Sequence, residues 1–236
     1  MKKKVSFLIL VYNESKTIEQ EIKNILKLKK DINFNLVVVQ DGSNDGTFEK
    51  LNKLKKKYSF KLYNKENRLG YYNAFLKGVK LCRGKVIFFS DTGGKYKYEN
   101  FIKFYKVFIN QKADLVAGYR VGRKDKYLRR FLTFFYTLFI NIFFFFNFKD
   151  YDCGFKIFNK KKLLNILKNN TFNKNLITSQ IFIFFKLYNY RIFQLPIKYW
   201  EKKNRKSRGI PNKKIVKIIF LSLLNLLKIR LQAKSL

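Results

Sequence analysis

Apolar and amphipathic stretches alternate along the first 120 or so residues. Val5–Val11 is an almost unbroken apolar run, which predicts a strand buried on both faces rather than one with a wet side. In residues 15–28, Ile18, Ile22, Ile25 and Leu26 recur at the spacing of one helix face. Residues 34–39 read as a second buried strand and 45–58 as a second helix. The same alternation continues through a strand at 60–63, a helix at Tyr71–Leu81, a strand at 86–89 and another at 115–117. Strands separated by helices of this length predict βαβ units and an α/β fold built on a mostly parallel sheet with flanking helices. Such sheets bind ligands beyond the carboxyl ends of their strands. The polar clusters fall at those ends: Asn13 and Glu14 after the first strand, Asp41-Gly42-Ser43 after the second, Asp91 after the fourth. Three acidic strand ends predict one crevice.

The pattern changes at Tyr127. Residues 131–148 are eighteen positions without a charge, preceded by Arg129 and Arg130 and followed by Lys149. By length alone this is a borderline membrane-spanning segment. A span would carry Asp152 to the opposite face from Asp41 and Asp91, and Asn141 and Asn147 would sit poorly in lipid. The expectation is therefore one or two helices lying at a membrane surface, with a core helix as the alternative. Residues 215–231 are apolar but interrupted by Lys217 and Lys228, which leaves ten uncharged residues between them. That is too short to span and predicts a basic amphipathic helix in the headgroup plane. Met1 to Lys4 is basic, but the apolar run that follows stops at Tyr12, so no secretory signal pattern is expected. The organisation expected is a first half at 1–125 carrying the crevice, a second half at 126–212 with the membrane-surface helices, and the basic helix at 213–236.

Charge narrows the chemistry. Lys and Arg number 52 against 15 Asp and Glu, a formal net charge of +37. Part of that excess belongs to a general compositional bias towards Lys, Asn, Ile and Phe. Its placement says more: ten of the fifteen acids lie in residues 1–100, and none follows Glu201. The run containing Lys202, Lys203, Arg205, Lys206, Arg208, Lys213, Lys214 and Lys217 would attract phosphates of nucleic acid, anionic lipid or a phosphorylated ligand. A hydrophobic fraction of 47% excludes a disordered basic tail. With no His at all, Ser-His and Cys-His nucleophilic chemistry is excluded. Two cysteines, Cys82 and Cys153, are too few for a disulfide scaffold, and no catalytic role is assigned to them. A nucleic-acid module would need basic and aromatic residues on one continuous face, and the acids at three strand ends would repel a backbone. No nucleic-acid partner is expected.

Seven short segments then occur in order: Val11-Tyr12-Asn13-Glu14; Asp41-Gly42-Ser43-Asn44-Asp45-Gly46-Thr47; Asn67-Arg68-Leu69-Gly70 with Ala74 and Gly78; Ser90-Asp91-Thr92-Gly93-Gly94; Ala117-Gly118-Tyr119-Arg120 with Arg123-Lys124-Asp125; Asp152-Cys153-Gly154-Phe155-Lys156; and Leu195-Pro196-Ile197 followed by Arg205-Lys206-Ser207-Arg208. In this order they resemble the family 2 glycosyltransferases of GT-A fold, in particular the dolichyl- or polyprenyl-phosphate mannosyl- and glucosyltransferases. The resemblance runs from about Val5 to about Arg208. It implies an inverting transfer from a nucleotide-diphosphate sugar to a polyprenyl phosphate, by a peripheral or monotopic protein on the cytoplasmic face of an anionic membrane surface. Tyr12, Glu14 and Asp41 match positions that hold the base and ribose of the donor, and Val39 lines the same pocket. Asp91 matches the first acid of the metal motif, with Mg or Mn expected beside the diphosphate. Arg120 and Arg208 match cations on the donor or acceptor phosphates, and Arg123 and Lys124 stand near them. Carboxylates that accept from ribose hydroxyls and guanidinium groups that grip phosphate agree with this.

The chain departs from the family at the metal motif. Where Asp-x-Asp-x-Gln is usual it has Asp91-Thr92-Gly93-Gly94-Lys95, so Gly93 replaces the second acid. One carboxylate is a meagre site for a hard cation. Three readings stay open: Lys95 supplies the charge and joins Asp91 and Arg120 in catalysis, a metal is held by Asp91 with diphosphate and water, or the domain is a degenerate lipid- or polyanion-binding descendant. Thr178-Ser179-Gln180 also lacks the acid that many relatives carry there. A phosphate acceptor, with a second pKa of about 6, needs no base to take a proton. Transfer to a glycan or other hydroxyl acceptor is the alternative.

Overall fold

The computed structural model describes residues 4–123, 127–174, 176–200 and 224–231. Seven strands form one sheet: β1 (Val5–Val11), β2 (Phe34–Asp41), β3 (Lys61–Lys65), β4 (Val86–Asp91), β5 (Leu115–Val121), β6 (Phe155–Asn159) and β7 (Ile192–Lys198). Their order is β3-β2-β1-β4-β6-β5-β7. The first four run parallel, β6 is antiparallel to both β4 and β5, and β7 is parallel to β5. The sheet is thus continuous through β4, β6 and β5.

Burial on both faces explains the apolar runs. Val5, Phe7, Ile9 and Val11 of β1 pack on one side with Phe34, Leu36 and Val38 of β2, against α1 (Ile18–Lys27), α2 (Thr47–Lys57) and α4 (Asn100–Asn110). Leu8, Val37 and Val39 point to the other side, towards α3 (Tyr71–Leu81), α6 (Lys160–Asn169) and α7 (Ile177–Leu187). Ser6, the polar interruption of β1, is buried but satisfied: its hydroxyl donates to Asn35 Oδ1 at 2.8 Å and accepts from Gly84 N at 2.8 Å. Close approach explains Gly84, where a Cβ would stand 2.7 Å from Ser6 N.

Several elements run differently from the pattern. β2, β4 and β5 extend past 39, 89 and 117 because partners remain available, with Asp41 opposite Lys65, Leu10 opposite Asp91 and Arg120 opposite Ile197. Asp41 and Asp91 therefore lie on the last residues of their strands rather than in loops after them, whereas Glu14 lies in the loop after β1. α1 starts at Ile18 because Glu14 O accepts from Thr17 N and Ile18 N, forming a turn first. The long uncharged stretch is also not one helix. α5 (Tyr127–Phe144) ends at Phe145, whose φ is 57°, and Asn141 fastens the returning chain. Its Nδ2 donates to Phe148 O at 2.9 Å, and its Oδ1 accepts from Phe148 N at 3.1 Å and Tyr151 OH at 2.6 Å. Among the described residues no helix is long and apolar enough to cross a membrane. Thr137, Ile140 and Phe144 form the buried side of α5, whereas Tyr127, Phe131, Phe134, Ile142 and Phe145 are exposed. The helical segment at 224–231 buries Leu226 and Ile229 and lays the Arg230 guanidinium 4.7 Å from the Phe143 ring. The rest of the expected basic helix lies outside the described residues.

Candidate active site

The loops leaving β1 and β2 are tied to each other. Asn13, at a left-handed φ of 53°, donates from its backbone N to Ser43 Oγ (3.0 Å) and exchanges side-chain bonds with Asn44. Glu14 N donates to Thr47 Oγ1 (2.8 Å) and Ser15 N to Asp45 Oδ2 (3.1 Å). Asp45 also accepts from the Thr47 hydroxyl, fixing the start of α2. The Glu14 carboxylate is buried and accepts from Thr17 Oγ1 at 2.9 Å.

Asp41 reaches in the other direction. Its carboxylate accepts from Leu69 N at 2.5 Å and Gly70 N at 3.1 Å, so the last residue of β2 holds the 67–70 turn. Gly42 lets that turn come close: its φ is +67°, and a Cβ would stand 2.8 Å from Arg68 N. The Arg68 guanidinium lies 4.0 Å from the centre of the Tyr12 ring. Tyr12 and Asp41 are thus both tied to the 67–70 segment, through Arg68 and through the Leu69 and Gly70 amides, whereas the Glu14 carboxylate bonds to Thr17. Val39 is fully buried on the α3 side of the sheet.

At the end of β4, Asp91 accepts from Lys95 Nζ at 3.1 Å and Tyr71 OH at 3.4 Å. Gly154 forms its back wall: a Cβ there would be 2.2 Å from Asp91 Cγ, and Gly154 O accepts from Asp91 N at 2.8 Å. The neighbouring carboxylate holds the Lys95 ammonium above its ordinary value. A second carboxylate supports the turn from inside. Glu21 Oε1 accepts from Gly93 N (2.6 Å) and Gly94 N (2.9 Å), and its Oε2 accepts from Tyr98 OH (2.8 Å). Burial raises the Glu21 carboxyl above its usual range. Sequence reasoning missed Glu21, although its position carried a signal: it is an acid on the apolar stripe formed by Ile18, Ile22 and Ile25.

Beyond β5 lies a third cluster. Arg120 and Asp150 form a buried two-pronged ion pair, Nε to Oδ2 at 2.6 Å and Nη2 to Oδ1 at 2.9 Å, and Arg120 N also donates to Oδ2. Burial alone would raise Asp150, but Arg120 outweighs it and holds the carboxyl below the usual range. Arg120, Arg123, Arg130 and Lys149 line a groove with Tyr127 and Phe131. Lys124 and Arg208 lie outside the described residues. Asp152 accepts from Thr178 Oγ1 at 3.2 Å, and burial raises its carboxyl. Lys156 is wholly buried, donates to Tyr151 O and Thr178 O, and is lowered by burial. Both cysteines are free and buried, with thiols pushed up to about 12 by desolvation.

The profile of glycosyl transferase family 2 matches residues 6–167, and the chain belongs to that family. A dolichyl-phosphate beta-glucosyltransferase of Trichomonas vaginalis is 25% identical over 86% of this chain and 68% of its own length. A dolichol-phosphate mannosyltransferase of Pyrococcus furiosus is 31% identical over 52% of this chain and 35% of its own. A poly-beta-1,6-N-acetyl-D-glucosamine synthase of Staphylococcus epidermidis is 30% identical over 56% of this chain, which spans 32% of that protein. Among solved structures, a mannosyltransferase from Pyrobaculum calidifontis in complex with GDP-Man and Mn2+ superimposes with a TM-score of 0.64 at 16% identity, over 89% of this chain and 59% of that one. Glucosyl-3-phosphoglycerate synthase from Mycobacterium tuberculosis with Mn2+ and UDP-glucose gives 0.66 at 16% identity, over 87% and 73%. The mostly parallel seven-stranded sheet is the GT-A fold.

Proposed function

We propose that this glycosyltransferase moves a sugar from a nucleotide-diphosphate sugar to a polyprenyl phosphate at the cytoplasmic surface of a membrane. Tyr12, Glu14 and Asp41, with Val39 behind them, serve the nucleoside. Asp91 and Lys95 stand at the diphosphate. Arg120, expected at the diphosphate as well, is engaged by Asp150, and Arg123 and Arg130, with Lys124 and Arg208 from outside the described residues, serve the acceptor phosphate. The observation that carries the reading is the groove beyond β5, where Arg123, Arg130 and Lys149 and the rings of Tyr127 and Phe131 stand around the Arg120–Asp150 pair, beside an exposed apolar helix. Such a surface suits a phosphate joined to a hydrocarbon chain.

In the single displacement proposed, an acceptor phosphate oxygen attacks the anomeric carbon, the bond from that carbon to the diphosphate breaks, and the bonding electrons leave with the nucleoside diphosphate. One displacement inverts the anomeric centre. A phosphate acceptor is already anionic, so the chain has only to orient it and neutralise charge. A second reading, transfer to a hydroxyl, is favoured by Asp152, whose raised carboxyl would act as base.

An acceptor comparison tests this. A short polyprenyl phosphate, the matching free polyprenol and soluble oligosaccharides are offered with a mixture of nucleotide sugars. Product on the phosphate alone is expected; product on the alcohol or glycans alone would favour the second reading.

A further inference from the structure

Two structural neighbours of this fold are complexes that contain Mn2+, a divalent cation, and the position here that matches the family's metal motif is Asp91. The residues here do not fit one. Among the described residues no group of three or more His, Cys, Asp or Glu side chains could hold a metal. Asp91 offers one carboxylate, and the Lys95 ammonium already occupies it at 3.1 Å. A cation binding there would have to displace or stand beside another cation. Position 93 has no acid, and its glycine has a φ of 93°, followed by Gly94 at 67°. An L side chain rarely adopts that conformation, so the turn itself differs from one that presents a second carboxylate to a metal. Glu21, the acid beneath this turn, is spent on the amides of Gly93 and Gly94 and on Tyr98. It fixes the turn from the buried side, and Lys95, two residues beyond Gly93, folds back on Asp91.

We infer that the Lys95 ammonium is the resident cation at the diphosphate end of the crevice, and that nucleoside diphosphate binds this protein without a divalent metal. The inference rests on the donor reading above. An isolated Asp91 carboxylate would repel a diphosphate. Paired with Lys95 it does not. Lys95 is one-third exposed, so its ammonium can reach a phosphoryl oxygen while remaining beside Asp91. Glu21 is a positioning residue for this arrangement.

Calorimetric titration of the full chain with UDP, GDP, uridine and guanosine tests it, each with added MnCl2 and again with EDTA. The expected result is a nucleoside diphosphate affinity that changes by less than about twofold between the two conditions. Lys95→Ala and Lys95→Gln, each checked for an unchanged thermal melt, are expected to weaken the diphosphate about tenfold and the matching nucleoside by less than about twofold. Binding that requires Mn2+ overturns the inference and leaves the donor reading standing. So does parental affinity of both variants in EDTA. No binding of any nucleotide under either condition overturns the donor reading, and this inference with it.

Discussion

The Gly154 α-carbon stands so close to the Asp91 carboxylate that a β-carbon on it would meet Asp91 Cγ at 2.2 Å. This contact joins the start of β6 to the end of β4, and it leaves Asp91 no freedom to retreat from the crevice. The expected outcome of Gly154→Ala is a displaced Asp91, a turnover loss of at least about tenfold and a stability loss of about 1–3 kcal/mol from overpacking. Comparing kcat with urea unfolding separates the two. Full activity in Gly154→Ala would remove Asp91 from the reaction.

Asp41 has a double duty, because it holds the 67–70 turn and borders the proposed nucleoside site. Asp41→Asn keeps one oxygen for Leu69 N or Gly70 N but loses the charge. It should cost about 1–3 kcal/mol of stability and weaken donor binding about tenfold or more. Asp41→Ala should bind no detectable nucleotide. Titration of UDP and GDP into folded Asp41→Asn is the check, and parental affinity would contradict the assignment.

The pH dependence of stability has two opposed parts. Asp150 is held below its ordinary 3.8 by Arg120, against the opposing effect of burial, so its stabilisation is complete above that value and is lost as pH falls through the folded value. Glu21 is raised above its ordinary 4.5, chiefly by burial, so its contribution is complete below 4.5 and is lost as pH rises through the folded value. Asp150→Asn should therefore flatten the acid limb and cost about 3–5 kcal/mol at neutral pH by leaving Arg120 buried and unpaired. Glu21→Gln should flatten the change above 4.5 and spare the acid limb. Urea melts across the range check both, and an unaltered acid limb in Asp150→Asn would refute the first.

The exposed face of α5 predicts membrane partition. Phe134 and Ile142 are 62% and 66% exposed, so replacing both with Ser removes apolar surface without opening the core. Co-flotation with vesicles containing anionic phospholipid should fall about tenfold or more in the Phe134→Ser, Ile142→Ser double variant, with the thermal melt unchanged. Equal flotation would locate any membrane contact elsewhere.

The first half of the fold was legible because its strands are buried on both faces and its helices on one, so each period survives in the sequence. β1 and α3 have the bounds the pattern predicts, and the acids at the ends of β1, β2 and β4 fall where their apolar runs stop. Beyond Tyr127 the signal failed for physical reasons. α7 is buried almost all round, from Ile177 to Phe185, and so shows no amphipathic period. The places of β6 and β7 are fixed by partners distant in sequence, β4 and β5. The bend after α5 depends on Asn141 reaching Phe148 and Tyr151, contacts that periodicity does not encode. At the site, the motifs supplied Tyr12, Glu14, Asp41, Asp91 and Lys95. They did not supply Glu21 as the support of the Gly93–Gly94 amides, nor Asp150 as the partner of Arg120.

Formation of a glycosyl polyprenyl phosphate tests the central claim most directly. The chain is incubated with a panel of nucleotide-diphosphate sugars and a short polyprenyl phosphate, and the lipid fraction is weighed by mass spectrometry. The account predicts one glycosylated polyprenyl phosphate in the parent protein and none in Asp41→Ala. No new glycolipid from any donor, or equal product from both proteins, would contradict it.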